Sequence, residues 1–118
     1  MSFMKDDCVF CKIANKLIDT AIVYEDKECV AFEDLNKQAP IHFLVIPKKH
    51  IESLNNVSVS DSRLIGRIFF KIKEIAQKAK ISENGYRVVA NCNKDAGQEV
   101  FHLHFHVLGG RKFSWPPG

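Results

Sequence analysis

The sequence predicts an α+β fold: a five-stranded antiparallel sheet with one long and one short helix. Apolar residues recur at helical spacing over about 61–80, which is the period of an amphipathic helix. Five shorter apolar or alternating segments have the length and pattern of strands. Hairpin-like connections between these segments favour antiparallel pairing with the long helix on one face. The 118 residues are enough for one domain, 1–118, and too few for two ordinary ones.

The first elements are a short helix and a hairpin. Residues 9–16 have the composition of a short helix, and Asp6 or Asp7 is available as its N-cap. The strands 22–24 and 29–32 are separated by a charged turn, which predicts a hairpin.

The middle of the chain predicts a central strand followed by the long helix. Residues 42–46 are apolar apart from one histidine and stop at Pro47, which is typical of a strand covered on both faces. Ser60 is the predicted N-cap of the helix over 61–80. A further strand is predicted over 86–91, after a turn.

Three histidines alternate with apolar residues in the last predicted strand. Successive side chains of a strand point to opposite faces, so His102, His104 and His106 share one face, with neighbours about 7 Å apart. The other face is expected to meet the long helix and carries Phe101, Leu103, Phe105 and Val107. Histidine acts as nucleophile, proton donor or metal ligand. This face therefore indicates chemistry rather than packing.

Composition and charge exclude several classes of function. The formal net charge is +3, and the basic residues are dispersed apart from Lys48 and Lys49, so no nucleic-acid partner is expected. No apolar run approaches the roughly 20 residues of a membrane span, and the first residues have no apolar stretch of signal-peptide length. We expect no membrane partner and a cytoplasmic location, with the nucleus as an alternative.

Two of the four cysteines have the spacing of metal ligands. Cys8 and Cys11 form a CxxC pair, whereas Cys29 and Cys92 stand alone. In a reducing compartment a disulfide framework is not expected. The pair then indicates a metal half-site, a redox pair or a coincidence.

Several segments together resemble the histidine triad (HIT) family. Residues 102–108, HLHFHVL, resemble its signature of three alternating histidines followed by two apolar positions. The opening 8–13 is similar to that of the family, and 38–51 is similar to its Hint branch. The segments 109–111, GGR, and 115–118, WPPG, also resemble Hint proteins.

The resemblance implies a homodimer whose two sheets join into one, with a tail over 109–118 that reaches toward the partner protomer. It also implies binding of purine nucleoside monophosphates and hydrolysis of purine nucleoside phosphoramidates through a nucleotidyl-histidine intermediate. No cofactor is implied for catalysis. Two alternatives stay open: a nucleotide- or zinc-binding interaction protein, and a dinucleoside polyphosphate hydrolase of another HIT branch.

The catalytic residues follow from the same resemblance. It makes His104 the nucleophile that attacks the α-phosphorus and places His106 beside the α-phosphate. It places His42 behind His104 as orienter and proton partner, and His102 as the first member of the triad.

The resemblance also implies the residues that bind the substrate. Asp34 accepts hydrogen bonds from the ribose, and Asn91 lies against the phosphate or the leaving group. Without the resemblance, a turn cap and the end of a strand are the simpler interpretations of these two residues. The base pocket is implied to consist of Phe10, Ile13, Phe32 and Leu35.

The phosphate and leaving-group ends of the site involve a loop and the tail. Backbone N–H groups of Gly97, Gln98 and Glu99 are expected to hold phosphate oxygens. Animal Hint proteins have serine at the position of Glu99, so its side chain carries no assigned role. Trp115 is the tail residue implied at the leaving group.

A structural zinc ion is the expected metal. Some relatives with a CxxC at this position bind zinc through two cysteines and two histidines, here Cys8, Cys11, His50 and His102. Reduced thiols without a metal and a redox function are the alternatives.

Overall fold

The computed structural model describes residues 5–118, so the first four residues of the predicted domain lie outside the described chain. The five strands form one antiparallel sheet in the order β1-β2-β3-β5-β4. They are β1 Ile22–Glu25, β2 Cys29–Glu33, β3 Ile41–Pro47, β4 Tyr86–Val89 and β5 Phe105–Gly109.

Two helices flank the sheet, as the sequence predicts. The short helix α1 is Val9–Ala14 and the long helix α2 is Ser62–Lys78. Short 3-10 turns lie at Leu54–Asn56, Val59–Asp61 and Lys94–Ala96. The predicted fold class, α+β with one long and one short helix, is confirmed.

The predicted helix caps are wrong at both helices. Cys8, rather than Asp6 or Asp7, caps α1, and its Sγ accepts a hydrogen bond from the backbone N–H of Cys11 at 3.3 Å. Asp61, rather than Ser60, is the N-cap residue of α2, because the preceding 3-10 turn runs directly into the helix.

The central strand β3 is covered on both faces, as its apolar sequence predicts. Phe43 and Val45 belong to a core on the α2 side. Leu44 and Ile46 belong to a second core on the α1 side. The α2 side chains in the first core are Leu64, Ile68, Ile72, Ile75 and Ala76. Fully burying one such aliphatic side chain contributes about 1.5–3 kcal/mol, so α2 is held mainly by this stripe.

The histidine strand begins later than expected. Only residues from Phe105 onward are β5, because the preceding segment bonds to a loop instead of a strand. The Leu103 N–H donates to the Ile51 oxygen at 2.6 Å. Leu103, Phe105 and Val107 lie in the α2 core as predicted, whereas Phe101 is half exposed and does not join it.

The tail after β5 is irregular and lies near β4. Arg87 donates to the Ser114 oxygen at 3.0 Å, and its guanidinium lies 5.1 Å from the Phe113 ring centre. Trp115 is 81% exposed, so the described chain does not bury it in a pocket of its own. Among the described residues, no helix has the length and apolar character to cross a membrane.

Candidate functional site

A cavity of about 500 Å³ opens on the α1 side of the sheet, where the histidines point. The predicted site residues that line it are Phe10, Ile13, Phe32, Asp34, Leu35, His42, Asn91, Gly97, Glu99, His104 and His106. Leu35 only borders the opening, since it is 97% exposed. Protein pockets for small molecules have volumes of roughly 300–1,000 Å³. The predicted base, ribose and phosphate residues therefore meet in one cavity of suitable size.

A second cavity, about 450 Å³, lies on the α2 side of the sheet. His42 borders both cavities, but the other walls of the second are aliphatic and aromatic residues and charged side chains such as the Lys71–Glu74 pair. No other histidine or cysteine lines it. The cavity on the α1 side is therefore the candidate catalytic cavity.

Three predicted residues do not line the catalytic cavity. Trp115 is exposed on the tail, and His102 is fully buried beside the cavity. Gln98 is buried, and its side chain holds the loop by accepting from the Asn93 N–H at 2.9 Å and donating to the Glu52 and Val100 oxygens.

The three amides expected to hold phosphate are not equivalent. The Gly97 N–H donates to the Lys94 oxygen at 3.0 Å, and the Gln98 N–H donates to the Asn93 oxygen at 3.1 Å. Within residues 5–118 only the Glu99 amide of the three has no acceptor. The Glu99 N–H can therefore donate to a phosphate oxygen without breaking a hydrogen bond within the loop.

The cavity also includes residues that the sequence analysis missed. Leu44 was detectable, because it is two residues from His42 on the same strand face. Thr20, Asn36 and Gln38 come from loops, where no periodic pattern exists to place them. The missed lining residues are Val9, Thr20, Glu33, Asn36, Gln38, Leu44 and Val100.

One backbone hydrogen bond decides which ring nitrogen of His104 carries the hydrogen in the neutral form. Its Nδ1 lies 2.7 Å from the backbone oxygen of His102, which can only accept, so Nδ1 carries the hydrogen. In the neutral ring Nε2 then keeps its lone pair. The ring lies 5.1 Å from that of His106 between centres, closer than the predicted 7 Å, and Phe10 packs edge-on against it at 5.2 Å.

His42 is held in one tautomer by the loop before it. The Gln38 N–H lies 3.1 Å from His42 Nδ1, and a backbone N–H can only donate, so Nδ1 accepts and Nε2 carries the hydrogen. Nε2 lies 2.9 Å from His106 Nδ1 and 3.3 Å from Asp34 Oδ2. His42 therefore donates to its neighbours, and neutral His106, which accepts at Nδ1, carries its own hydrogen on Nε2.

Burial disfavours the charged forms of His42 and His106 in the free protein. It lowers the pKa of His42, although the nearby Asp34 carboxylate acts in the opposite direction. It lowers the pKa of His106 to about 4, and the neighbouring His104 and His42 rings lower it further in the same direction. Desolvation penalises the charged imidazolium, so both rings are neutral at pH 7.

A second cluster, of two cysteines and two histidines, lies beside the catalytic cavity. His102 Nδ1 lies 3.4 Å from Cys8 Sγ, 3.5 Å from Cys11 Sγ and 3.2 Å from His50 Nδ1. Cys11 Sγ lies 3.3 Å from His50 Nδ1. Tetrahedral zinc with the usual bond lengths separates S and N ligands by about 3.6 Å and two N ligands by about 3.3 Å.

Hydrogen bonding around the cluster also fits a metal. His102 Nε2 lies 2.7 Å from the Pro47 oxygen and so carries the hydrogen, which leaves the Nδ1 lone pair directed at the cluster. Ligating histidines usually donate their other N–H in this way. The Cys11 N–H donates to Cys8 Sγ, which orients this sulfur within the cluster. The donor set and spacing therefore fit zinc.

A group of two histidines and an aspartate in the cavity fits a metal less well. Asp34, His42 and His106 also lie close enough to share an ion. However, His42 Nδ1 faces a backbone donor, so its Nε2 carries a hydrogen where a metal needs a lone pair. These three groups form a hydrogen-bonded cluster.

Comparison with known proteins identifies the family. The model of the HIT domain matches residues 15–113, which is most of the chain. The chain belongs to the HIT family. An uncharacterized HIT-like protein of Synechocystis is 49% identical over 115 residues, which cover 98% of this chain and all of that protein.

Solved HIT structures have the same fold. A HIT family hydrolase from Legionella pneumophila has a TM-score of 0.94 and 51% identity, over 95% of this HIT protein and all of that chain. A histidine triad protein from Clostridium difficile has a TM-score of 0.91 and 45% identity, over 93% and 96% of the two chains. The predicted HIT family is thereby confirmed, whereas the Hint branch stays a prediction.

Proposed function

We propose that this HIT protein hydrolyses purine nucleoside phosphoramidates, as Hint proteins do, through a nucleotidyl-histidine intermediate. The observation that supports it most is the His104 Nε2 lone pair in a cavity of about 500 Å³ that also contains His106 and His42. The likeness to a HIT family hydrolase supports hydrolysis as the reaction class.

The nucleoside end is bound by aromatic and acidic side chains. Phe10 and Phe32 pack edge to face, 5.4 Å between ring centres, and enclose the base together with Ile13. Asp34 accepts hydrogen bonds from the ribose hydroxyls. The Glu99 amide donates to a phosphate oxygen, and Asn91 contacts the phosphate or the leaving group. The Glu99 carboxylate has to point away, because it repels phosphate.

In the first half-reaction, His104 Nε2 forms a bond to the α-phosphorus. The phosphorus–nitrogen bond breaks, and its electron pair leaves with the amine, which takes up one proton. Protonated His106 supplies that proton from Nε2. Its Nδ1 then also carries a hydrogen and no longer accepts from His42, whose Nε2–H keeps Asp34 Oδ2, at 3.3 Å, as its acceptor. The Asp34 carboxylate, 3.8 Å from His106 Nδ1, and the bound phosphate stabilise the protonated form.

In the second half-reaction, water attacks the phosphorus and gives a proton back to His106 Nε2. The bond between phosphorus and His104 breaks, and the nucleoside monophosphate leaves. His104 Nδ1 donates to the His102 oxygen throughout, which stabilises the positive charge of the phosphorylated ring.

The test uses adenosine 5′-phosphoramidate with the wild-type protein and His104→Ala. We expect wild-type turnover and a protein adduct of the mass of adenylate in acid-quenched samples. The variant should bind adenosine monophosphate without turnover. Turnover by the variant would contradict the nucleophile, and absence of wild-type turnover would contradict the function. Binding alone would favour the interaction protein, and faster turnover of dinucleoside polyphosphates would favour another HIT branch.

A structural zinc ion is the second part of the proposal. Cys8, Cys11, His50 and His102 would hold it, and the fit rests on the distances and hydrogen bonds given above. Bound zinc would supply cross-linking rather than catalysis, joining the start of α1 to the segment that precedes β5.

The third part is a homodimer with a continuous sheet. β4 is an edge strand of the sheet, and an open edge is a template for pairing with another chain. On α2, Phe69 and Phe70 are about half exposed. Phe69 packs against Phe105 of β5, the neighbour of β4, so this apolar surface lies on the side of the open edge. In such a dimer the tail over 109–118 extends to the partner's cavity and brings Trp115 to the leaving group.

A further inference from the structure

The first residues of the C-terminal tail contact the loop that precedes His42. β3 and β5 pair with Ile41 opposite Gly109, which brings the chain after β5 against the chain before β3. Gly110 has φ +91°, and a Cβ at this position would lie 3.0 Å from Pro40 Cβ. The tail is therefore packed tightly against the loop where it begins.

Arg111 makes the polar contact between the two segments. Its Nε donates to the Gln38 backbone oxygen at 3.1 Å. Its guanidinium also donates to the Lys112 oxygen at 3.1 Å and stacks on the Phe113 ring at 4.2 Å. These contacts fix the direction of the Arg111 side chain. The Gln38 carbonyl is thus held in place by a side chain of the C-terminal tail.

The other side of Gln38 faces the catalytic histidines. Its backbone N–H donates to His42 Nδ1 at 3.1 Å, and this bond selects the tautomer that carries hydrogen on Nε2. The alternative tautomer would place an Nδ1–H against the Gln38 N–H, two donors facing each other. The Nε2–H is the group that His42 offers to His106 and Asp34.

We propose that Arg111 is a positioning residue for His42: by holding the Gln38 carbonyl it keeps the Gln38 N–H aimed at Nδ1 and so fixes the tautomer of His42. The kinetic consequence rests on the proposed hydrolysis, but the tautomer does not. Because the Arg111 bond is exposed, its loss should change the tautomer population and the rate by several fold rather than abolish activity.

Arg87 provides a matched control. It is also an arginine that contacts the tail, through the Ser114 oxygen and the Phe113 ring, but it has no contact with Gln38. Replacing Arg87 loosens the tail without removing the bond to the loop. Arg111→Lys is the conservative variant, because an ammonium group can still donate to a carbonyl oxygen.

The experiment compares Arg111→Gln, Arg111→Lys and Arg87→Gln with the wild type. Ring ¹⁵N chemical shifts of His42, assigned by His42→Gln, report the tautomer. Steady-state kinetics with adenosine 5′-phosphoramidate report kcat and KM, and thermal melting checks folding. For Arg111→Gln we expect a mixed His42 tautomer and a kcat lower by about 3- to 10-fold, with KM within about twofold of the wild type. Arg111→Lys and Arg87→Gln should resemble the wild type.

Two outcomes would overturn the proposal. One is a wild-type His42 spectrum in folded Arg111→Gln. The other is an equal spectral change in Arg87→Gln, which would assign the effect to the tail as a whole. If the wild-type protein hydrolyses no phosphoramidate, the proposed function fails, and the His42 spectra still decide the role of Arg111.

Discussion

His104 donates its Nδ1–H to the backbone oxygen of His102 across 2.7 Å. The His102 ring itself points to Cys8, Cys11 and His50. One residue therefore belongs to the cysteine–histidine cluster through its side chain and supports the proposed nucleophile through its backbone. The cysteine–histidine cluster and the catalytic cavity are therefore connected through His102. A substitution that moves His102 in the cluster should also alter the hydrogen bond that orients His104.

Cys11→Ser should remove zinc and destabilise the protein. A serine oxygen is a poor zinc ligand, and the loss of a structural metal lowers the free energy of unfolding by about 2–4 kcal/mol. Zinc content of protein purified without added metal, together with urea unfolding, measures both effects. Cys92→Ser is the control, because Cys92 lies outside the cluster. Metal-free wild-type protein with a stability equal to that of Cys11→Ser would contradict the zinc site.

Adenosine monophosphate should bind with uptake of a proton at His106. Burial holds the pKa of His106 at about 4 in the free protein, so the ring is neutral near pH 6.5. A phosphate dianion beside the ring raises this pKa and draws a proton from the solvent. Calorimetry in two buffers of different ionisation enthalpy gives the number of protons taken up.

The control for this uptake is His106→Asn, which retains polarity and cannot titrate. It supplies the baseline for protonation of the phosphate itself, whose second pKa is about 6. Equal proton uptake by the wild type and the variant would show that His106 does not gain the proton. Uptake that is larger in the wild type supports the role of His106 as the proton donor to the amine.

The sequence predicts most of the fold because period and alternation report burial directly. The five strands, both helices and the two-sided cover of β3 follow from local patterns. The start of β5 does not, since His102 and Leu103 bond to Pro47 and Ile51, some 50 residues away in the chain. Bonds of that range leave no local pattern.

The residues of the candidate site also divide into those that a local sequence pattern predicts and those that long-range contacts place. The shared face of His104 and His106 is a matter of alternation, whereas the approach of His42 depends on pairing of β3 with β5, in which Leu44 lies opposite His106. The resemblance supplied that approach. Gln38 acts through its backbone N–H and oxygen, and the Arg111 side chain binds that oxygen, so no side-chain pattern in the sequence distinguishes these positions.

Asp26 should be important for stability although it lies outside both sites. Its carboxylate accepts hydrogen bonds from the Glu28 N–H at 2.7 Å, the Cys29 N–H at 2.9 Å and the Tyr24 hydroxyl at 2.8 Å. Arg67 also donates to it at 3.0 Å. Asp26→Ala leaves these donors without an acceptor and should cost about 2–3 kcal/mol of unfolding free energy at pH 7. Urea unfolding beside Asp19→Ala, an exposed control, measures the effect.

The Asp26 effect should also disappear in acid. Burial raises the pKa of this carboxyl, but the hydrogen bonds from Glu28 and Cys29 lower it more, to well below its ordinary value. The stabilisation is therefore fully present above the pKa of the unfolded chain, about 3.9, and is lost as pH falls toward the folded value. The difference between the wild type and Asp26→Ala should shrink from pH 7 to pH 3. A constant difference would assign the effect to packing.

Phe70→Glu should separate the proposed dimer. Phe70 is 53% exposed on α2, and a buried glutamate at an apolar interface costs several kcal/mol. Light scattering with size-exclusion chromatography should give a dimer for the wild type and a monomer for the variant. Val59→Glu changes an apolar residue that is more exposed, at 91%, in the turn before α2, and this variant should stay dimeric. A monomeric wild-type protein would contradict the dimer.

Deletion of residues 113–118 should change the choice of leaving group more than stability. Phe113 and Trp115 stack with the guanidinium groups of Arg87 and Arg111, and such contacts near the surface contribute about 0.5–1 kcal/mol each. In the proposed dimer Trp115 would lie at the partner's leaving group, so an aromatic amine should lose about tenfold in kcat/KM relative to a small amine when the tail is removed. Steady-state kinetics with both phosphoramidates, beside urea unfolding of the same proteins, separate the two effects. Arg111 remains in the shortened chain but loses the Phe113 ring on which it stacks, so kcat can fall for both substrates. An unchanged ratio of their kcat/KM values would contradict the role of the tail in leaving-group choice.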